Sequence, residues 1–324
     1  MAEWLYEEGI GEHRAILVED GEIVEAAVEW PGELRAGAVL AGRLVEMSGR
    51  KGIVATSRGE VLAEPLPAGL SQGQSVRTEI VREPIAELGR PKRALGRITD
   101  EAEQEGPALA ERLPGSIARL PTGSDLFEAA GWSELLEEAA SGEIAFAGGG
   151  LRLSLTPAMT LFDVDGYLPA AELAVAGAAA AARAIRRLGI GGSVGIDLPT
   201  LASRDERQRA AAAVDAILPQ PFERTAVNGF GFLQIVRRRT RASLPERIQS
   251  DPAGAAARAL LRRAERSGGA GPRTLAAAPA VVATIEAHPE WRDALARRLG
   301  APVALRADPA LAISAGHVHA AFAS

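Results

Sequence analysis

Residues 159–166 read MTLFDVDG and residues 193–198 read SVGIDL, with an alanine-rich run at 170–188 between them. The two outer segments are short apolar runs of strand length, and the middle one has the length and composition of a helix. Strand, helix, strand in that order predicts an α/β layer with the helix laid over one sheet face. Working outward, LRLSL at 151–155 adds a strand before this unit. A helix over 204–218 and the strand FGFLQIVRR at 230–238 follow it. The expected unit is an α/β domain over 149–250 with a mixed sheet. Strand alternation places Phe162 and Val164 on one side of that sheet and Asp163 and Asp165 on the other.

A third aspartate, Asp197, stands where the apolar run SVGIDL stops, just before Leu198-Pro199. In open α/β sheets ligands gather at the carboxyl ends of strands, so the three carboxylates could converge there. Alone they would repel one another. A hard cation relieves that repulsion, and Mg²⁺ takes oxygen ligands while keeping waters that can meet a phosphate. The same residues admit a plainer reading, in which 163–166 is a solvated strand-to-turn segment and Asp197 caps the next turn. Spacing by itself leaves both open.

Toward the N-terminus, residues 1–35 contain a β-hairpin around Asp20-Gly21, a pair that tolerates a type I′ turn. Within 36–99 the runs AVLAGRLVEM, KGIVAT, EVLAEPL and QSVRTEIV are separated by Gly, Pro and Ser at the spacing of a small barrel, and one more strand would make an OB-fold. Residues 100–148 turn helical and acidic, broken by prolines and glycines, and read as a short linker subdomain. Residues 251–324 read as a small α+β segment. The fold class expected is thus multidomain α+β with an α/β centre.

Composition narrows the chemistry. The chain has 324 residues, is 47% hydrophobic and carries a net charge of −6. It has no apolar run of membrane-spanning length, and its acidic start is unlike a secretory signal, so a cytoplasmic protein is expected. The absence of cysteine excludes disulfides, iron–sulfur clusters and thiolate zinc sites. Cations concentrate at 224–247, where Arg237, Arg239 and Arg241 alternate. They read either as a phosphate track or as the solvent face of a strand. Lys92 in the barrel segment is a further candidate RNA contact.

Four motifs, in order, carry a resemblance to the ribonuclease E/G family. Asp163-Val164-Asp165-Gly166 is similar to the family's Asp-Val-Asn-Ser-Gly. The helix with Gly191-Gly192 and Ile196-Asp197 is similar to its helix, Gly-Gly and Ile-Asp. Phe230-Gly231-Phe232-Leu233-Gln234-Ile235-Val236-Arg237 resembles Phe-Gly-Leu-Leu-Glu-Met-Ser-Arg, and Arg241-Ala242-Ser243-Leu244 resembles Arg-Pro-Ser-Leu. The likeness extends to residues 37–97, as the family's OB-fold subdomain, and to Ala277-Ala278-Pro279-Ala280-Val281 near the C-terminus.

The resemblance implies a Mg²⁺-dependent endoribonuclease, with Mn²⁺ as a substitute, that cuts single-stranded RNA in ribosomal RNA processing or messenger RNA decay and leaves a 5′-phosphate. It assigns Asp163 and Asp197 to the metal, and Asp165 by position, where the family has asparagine. It places Arg224 near a phosphate contact and Arg119, in Ile117-Ala118-Arg119-Leu120, at the family's 5′-phosphate sensor. Several departures stand against this. The cysteines of the family's zinc link are missing, so any oligomer is not zinc-linked. The sensor lacks its hydroxyl partner, and Ile53 and Val61 stand where the barrel's base-stacking aromatics would be. These losses favour an alternative, an RNA-binding or ribosome-maturation factor with weak or no cleavage. A hydrolase of small phosphate esters or of DNA is a third reading.

Overall fold

The computed structural model of the chain describes residues 3–87, 91–119 and 125–322. It is a mixed α/β protein with a five-stranded closed barrel near the N-terminus, followed by mixed sheets and, among the described residues, nine α-helices. Two compact units divide the chain. One gathers residues 1–31, 113–136 and 247–324, and the other gathers 32–112 and 137–246.

The chain opens with an antiparallel meander of β1 (Glu3–Glu8), β2 (His13–Glu19) and β3 (Glu22–Glu29). Between β2 and β3, Asp20 and Gly21 have φ of 51° and 85°, the left-handed pair that a type I′ turn demands, as the Asp-Gly dipeptide predicts. Strands β4 (Val39–Ser48), β5 (Lys51–Thr56), β6 (Gly59–Ala63), β7 (Ser75–Arg82) and β8 (Ala94–Thr99) then close into the barrel in the order β4-β5-β6-β8-β7. Only the β6–β8 pairing is parallel. Alternation along these strands turns Leu44, Val54, Val61, Ala63, Ile80 and Ala94 into the interior.

Next come α1 (Leu109–Arg112), β9 (Ile117–Arg119), α2 (Leu126–Ala129) and α3 (Trp132–Ser141). The stretch expected as a linker thus supplies a strand: β9 pairs in parallel with β1 and extends the first sheet to β3-β2-β1-β9. Three residues are too few to show a period, but they satisfy the backbone groups along the free edge of β1.

The central sheet is built from β10 (Glu143–Phe146), β11 (Gly149–Leu155), β12 (Thr160–Gly166), α4 (Ala170–Arg187), β13 (Gly192–Asp197), α5 (Arg204–Ile217), β14 (Glu223–Arg224) and β15 (Phe232–Arg237). Its order is β10-β11-β12-β13-β15-β14, and only β12 and β13 run parallel, joined through α4. Helix α4 lies on β10–β12, and α5 packs beside α4. The fit depends on Gly177, where a Cβ would sit 2.3 Å from Val164 Cγ1. Helix α5 starts at a capping box, in which Ser203 and Glu206 each accept the other's backbone N–H.

The chain ends with α6 (Leu244–Ser250), α7 (Pro252–Glu265), β16 (Ala270–Ala277), α8 (Pro279–Glu286), α9 (Pro289–Leu299), β17 (Val303–Ala307) and β18 (His317–Phe322). The sheet β17-β16-β18 and helices α7–α9 enclose Leu260, Leu261, Leu275, Val281, Ile285 and Leu295. Among the described residues no helix is long and apolar enough to cross a membrane.

Candidate active site

The central sheet has two different faces. Phe162, Val164, Val194, Ile196, Leu233 and Ile235 are buried on the helix side. The residues between them point the other way. On that second face, strand register aligns five residues in a row across the sheet. Glu143 pairs with Arg152, Arg152 with Asp163, Asp163 with Asp197, and Asp197 with Phe232. Asp165 lies two residues further along β12 on the same face. The parallel pairing of β12 with β13 therefore brings Asp163, in the middle of β12, and Asp197, the last residue of β13, onto neighbouring strands about 4.8 Å apart.

All three aspartates are exposed, and none of their side chains takes part in a hydrogen bond or ion pair among the described residues. Like charges directly opposite on neighbouring strands destabilise a sheet. Register sets Asp163 between Asp197 on one side and Arg152 on the other. The carboxylates do not form a closed cage: among the described residues no group of three or more His, Asp or Glu side chains is arranged to hold a metal ion. A magnesium ion does not need one, since it is commonly held by one or two carboxylates with waters and substrate phosphates filling its octahedron. An exposed pair of aspartates with a third nearby suits that mode.

Beside the acids lies Arg152, which register sets opposite Asp163. Its Nε donates to Glu143 Oε1 at 3.0 Å, and both side chains are well exposed. Sequence reading missed this arginine, although its place in LRLSL, alternating with Leu151 and Leu153, puts it on the face away from the core. On the other flank the Phe232 ring lies over Gly195, where a Cβ would come within 2.6 Å of it. The turn leading into β15 is held by Asn228, whose Oδ1 accepts from the N–H groups of Phe230 (2.9 Å) and Phe232 (3.0 Å). Gly231 completes it with φ of 93°, and a Cβ there would fall 2.2 Å from the Leu198 carbonyl oxygen.

The expected cationic contacts are placed differently. Arg237 pairs in register with Gly192 and Arg224 with Ile235, so both belong to the helix-covered face, opposite the aspartates. Arg224 grips Asp215 of α5 through two hydrogen bonds, which hold the Asp215 carboxyl below its ordinary pKa and raise that of the guanidinium. Arg237 Nη1 donates to the Ile190 carbonyl at 3.0 Å. Arg239 pairs with Glu246 and lies 3.4 Å from Glu87, which Lys92 also engages. Burial, and then the nearby Arg239 charge, push the pKa of Arg82 below the usual arginine value. Arg119 pairs with Glu8 at 3.1 Å and lies over the Tyr6 ring. The rest of the sensor-like motif, Leu120, falls outside the described residues. Val61, aligned with a base-stacking position, is buried inside the barrel because alternation on β6 turns it inward.

Set against known proteins, the chain matches no family model and no curated protein.

Proposed function

We propose that this chain is a compact Mg²⁺-dependent endoribonuclease of the ribonuclease E/G type that cuts single-stranded RNA. The observation carrying this reading is the register pairing of Asp163, in the middle of β12, with Asp197, the last residue of the parallel strand β13, with Asp165 on the same face and no side-chain partner for any of them among the described residues. Asp163 and Asp197 would hold the ion. When bound, Mg²⁺ supplies an activated water and neutralises charge on the scissile phosphate. Asp165, two residues along β12, is positioned to accept a proton from the attacking water or to orient it. Arg152, opposite Asp163, offers a guanidinium to a non-bridging phosphate oxygen once it exchanges Glu143 for the substrate.

The barrel supports the same reading. Its strand order of first, second, third, fifth, fourth, closed back on the first, is that of an OB-fold, whose second and third strands commonly bind oligonucleotides. Substrates by this reading are single-stranded segments of ribosomal RNA precursors or of messenger RNA, in the cytoplasm.

A second reading, an RNA-binding or ribosome-maturation factor with little cleavage, is favoured by one set of observations. Lys92, Arg224 and Arg239 are engaged in internal ion pairs, and Val61 is buried, which leaves less of the family's RNA track than an efficient nuclease would use. Cleavage of a fluorescently labelled single-stranded RNA separates the two. With Mg²⁺ the wild type should cut, and EDTA or the double change Asp163→Asn/Asp197→Asn should stop it. RNA binding without cutting by the wild type would instead establish the second reading.

A further inference from the structure

The two most exposed large apolar side chains among the described residues are Tyr167, 85% exposed, and Phe230, 83% exposed. They are distant in sequence, yet the topology brings both to one edge of the sheet. Tyr167 follows directly on Gly166 at the end of β12, four residues beyond Asp163. Phe230 stands two residues before Phe232, the register partner of Asp197, on a strand antiparallel to β13. Both therefore lie beyond the aspartate row in the same direction, on chains two strands apart, about 10 Å.

Their backbones are held while their rings project. The Tyr167 N–H donates to the Gly148 carbonyl at 3.2 Å, and Phe230 is fixed through Asn228 Oδ1 and the left-handed Gly231. A ring exposed on a braced turn contributes little to the core, and two such rings at the edge of the sheet just beyond a row of aspartates make a pattern. A protein-docking patch would be a continuous apolar surface, whereas these two residues lie on separate turns at the edge of the sheet just past the aspartates. Aromatic faces set beside phosphate chemistry are what unstacked nucleobases use.

We infer that Tyr167 and Phe230 are stacking platforms for the bases on either side of the scissile phosphate, and that they hold single-stranded RNA across Asp163 and Asp197. The inference rests on the nuclease reading above and adds to it the residues that select unpaired substrate. Neither ring reacts, so both are positioning residues. Base pairing would withhold the bases from the rings, which predicts a preference for unpaired over duplex RNA.

The test is fluorescence anisotropy of the full chain with a labelled single-stranded 12-nucleotide RNA in Ca²⁺, alongside cleavage in Mg²⁺. Wild type is compared with Tyr167→Ala, Phe230→Ala, Tyr167→Phe and the double alanine variant. Each alanine change should weaken binding about tenfold and the pair about a hundredfold, while Tyr167→Phe stays within about twofold, because a phenyl ring stacks as a phenol does. RNA carrying abasic sites at the bound positions should bind wild type as weakly as the double variant binds intact RNA. Alanine variants that bind and cut RNA like wild type would overturn this inference and leave the nuclease reading standing. Wild type that neither binds nor cuts RNA would overturn both. Self-association seen by sedimentation and lost in the double variant, with RNA affinity unchanged, would mark the rings as a contact between copies and sink the proposal.

Discussion

Two regions of the second unit carry similar numbers of charges and use them in opposite ways. On the open face of the central sheet, Asp163, Asp165 and Asp197 share one side of β12 and β13, and their side chains have no partners among the described residues. Around residues 237–247, Arg239 is matched to Glu87 and Glu246, Lys92 to Glu87, and Glu246 Oε2 also accepts from the N–H and Oγ of Ser243 at 2.8 Å each. The second region is a finished structural network. Local balance of charge therefore separates groups that hold the fold from carboxylates that the fold leaves unpaired, even though the basic stretch is the more conspicuous of the two in the sequence.

The largest expected effect breaks the acidic side of this contrast. Asp163→Asn/Asp197→Asn should lower Mg²⁺-dependent RNA cleavage by more than about 100-fold, since losing metal ligands costs at least as much as losing their supporting partners. In metal-free buffer the same variant should be more stable than wild type by about 0.2–1 kcal/mol, because a like-charge pair opposite in register is removed. Thermal melts with EDTA and with Mg²⁺ read both sides: Mg²⁺ should raise the melting temperature of wild type and leave that of the variant unmoved. An acidic pair that was merely a solvated turn would show no such difference.

The support beneath the acids is the next target. Gly177→Val would drive a side chain into Val164, the buried neighbour of Asp163 and Asp165, and should cost about 1–3 kcal/mol of stability in urea unfolding. Cleavage should fall with it, as β12 shifts against α4.

On the basic side, Arg239→Ala leaves Glu87 with Lys92 and Glu246 with Ser243 as their remaining partners, and removes the charge that balances two side chains only 16% and 12% exposed. The expected loss is about 1–3 kcal/mol, measured by chemical denaturation. Arg152→Ala, by contrast, removes an exposed pair and should change stability by less than about 0.5 kcal/mol while reducing cleavage. If Arg239→Ala left stability intact and abolished RNA binding, the contrast between the two regions would collapse.

The smallest effect is a pH dependence. The Arg224 hydrogen bonds lower the folded pKa of Asp215 from its ordinary 3.8, so the stability it contributes is fully present above that value. It is lost as pH falls through the lowered folded pKa. The stability difference between wild type and Asp215→Asn should therefore be constant near neutrality and shrink below pH 3.8 in acid unfolding curves. Both side chains are partly solvated, so the difference is small throughout.

The face that each central-strand residue takes was legible in the sequence. Alternation in MTLFDVDG puts Asp163 and Asp165 on the face opposite Phe162 and Val164, and the break after SVGIDL marks a strand end. The same rule, applied to Leu233-Gln234-Ile235-Val236-Arg237, would have set Arg237 with the buried Leu233 and Ile235, away from the acids. Tyr167 and Phe230 offered less to read, since an aromatic in a turn looks the same in sequence whether its ring is buried or exposed. Strand β9 was invisible because three residues carry no period.

What the sequence determined by itself is local: which residues alternate, where strands and helices start and stop, and which chemistry the lack of cysteine forbids. Each of these follows from backbone geometry and side-chain type within a few neighbouring residues. Only the tertiary structure decided that Asp163 stands opposite Asp197, that Arg224 turns to Asp215, and that Tyr167 and Phe230 share an edge. Strand register and helix placement arise from packing between segments far apart in the chain. Gly177 seating Val164, or Gly231 pressed against Leu198, acts through contacts that no local pattern records.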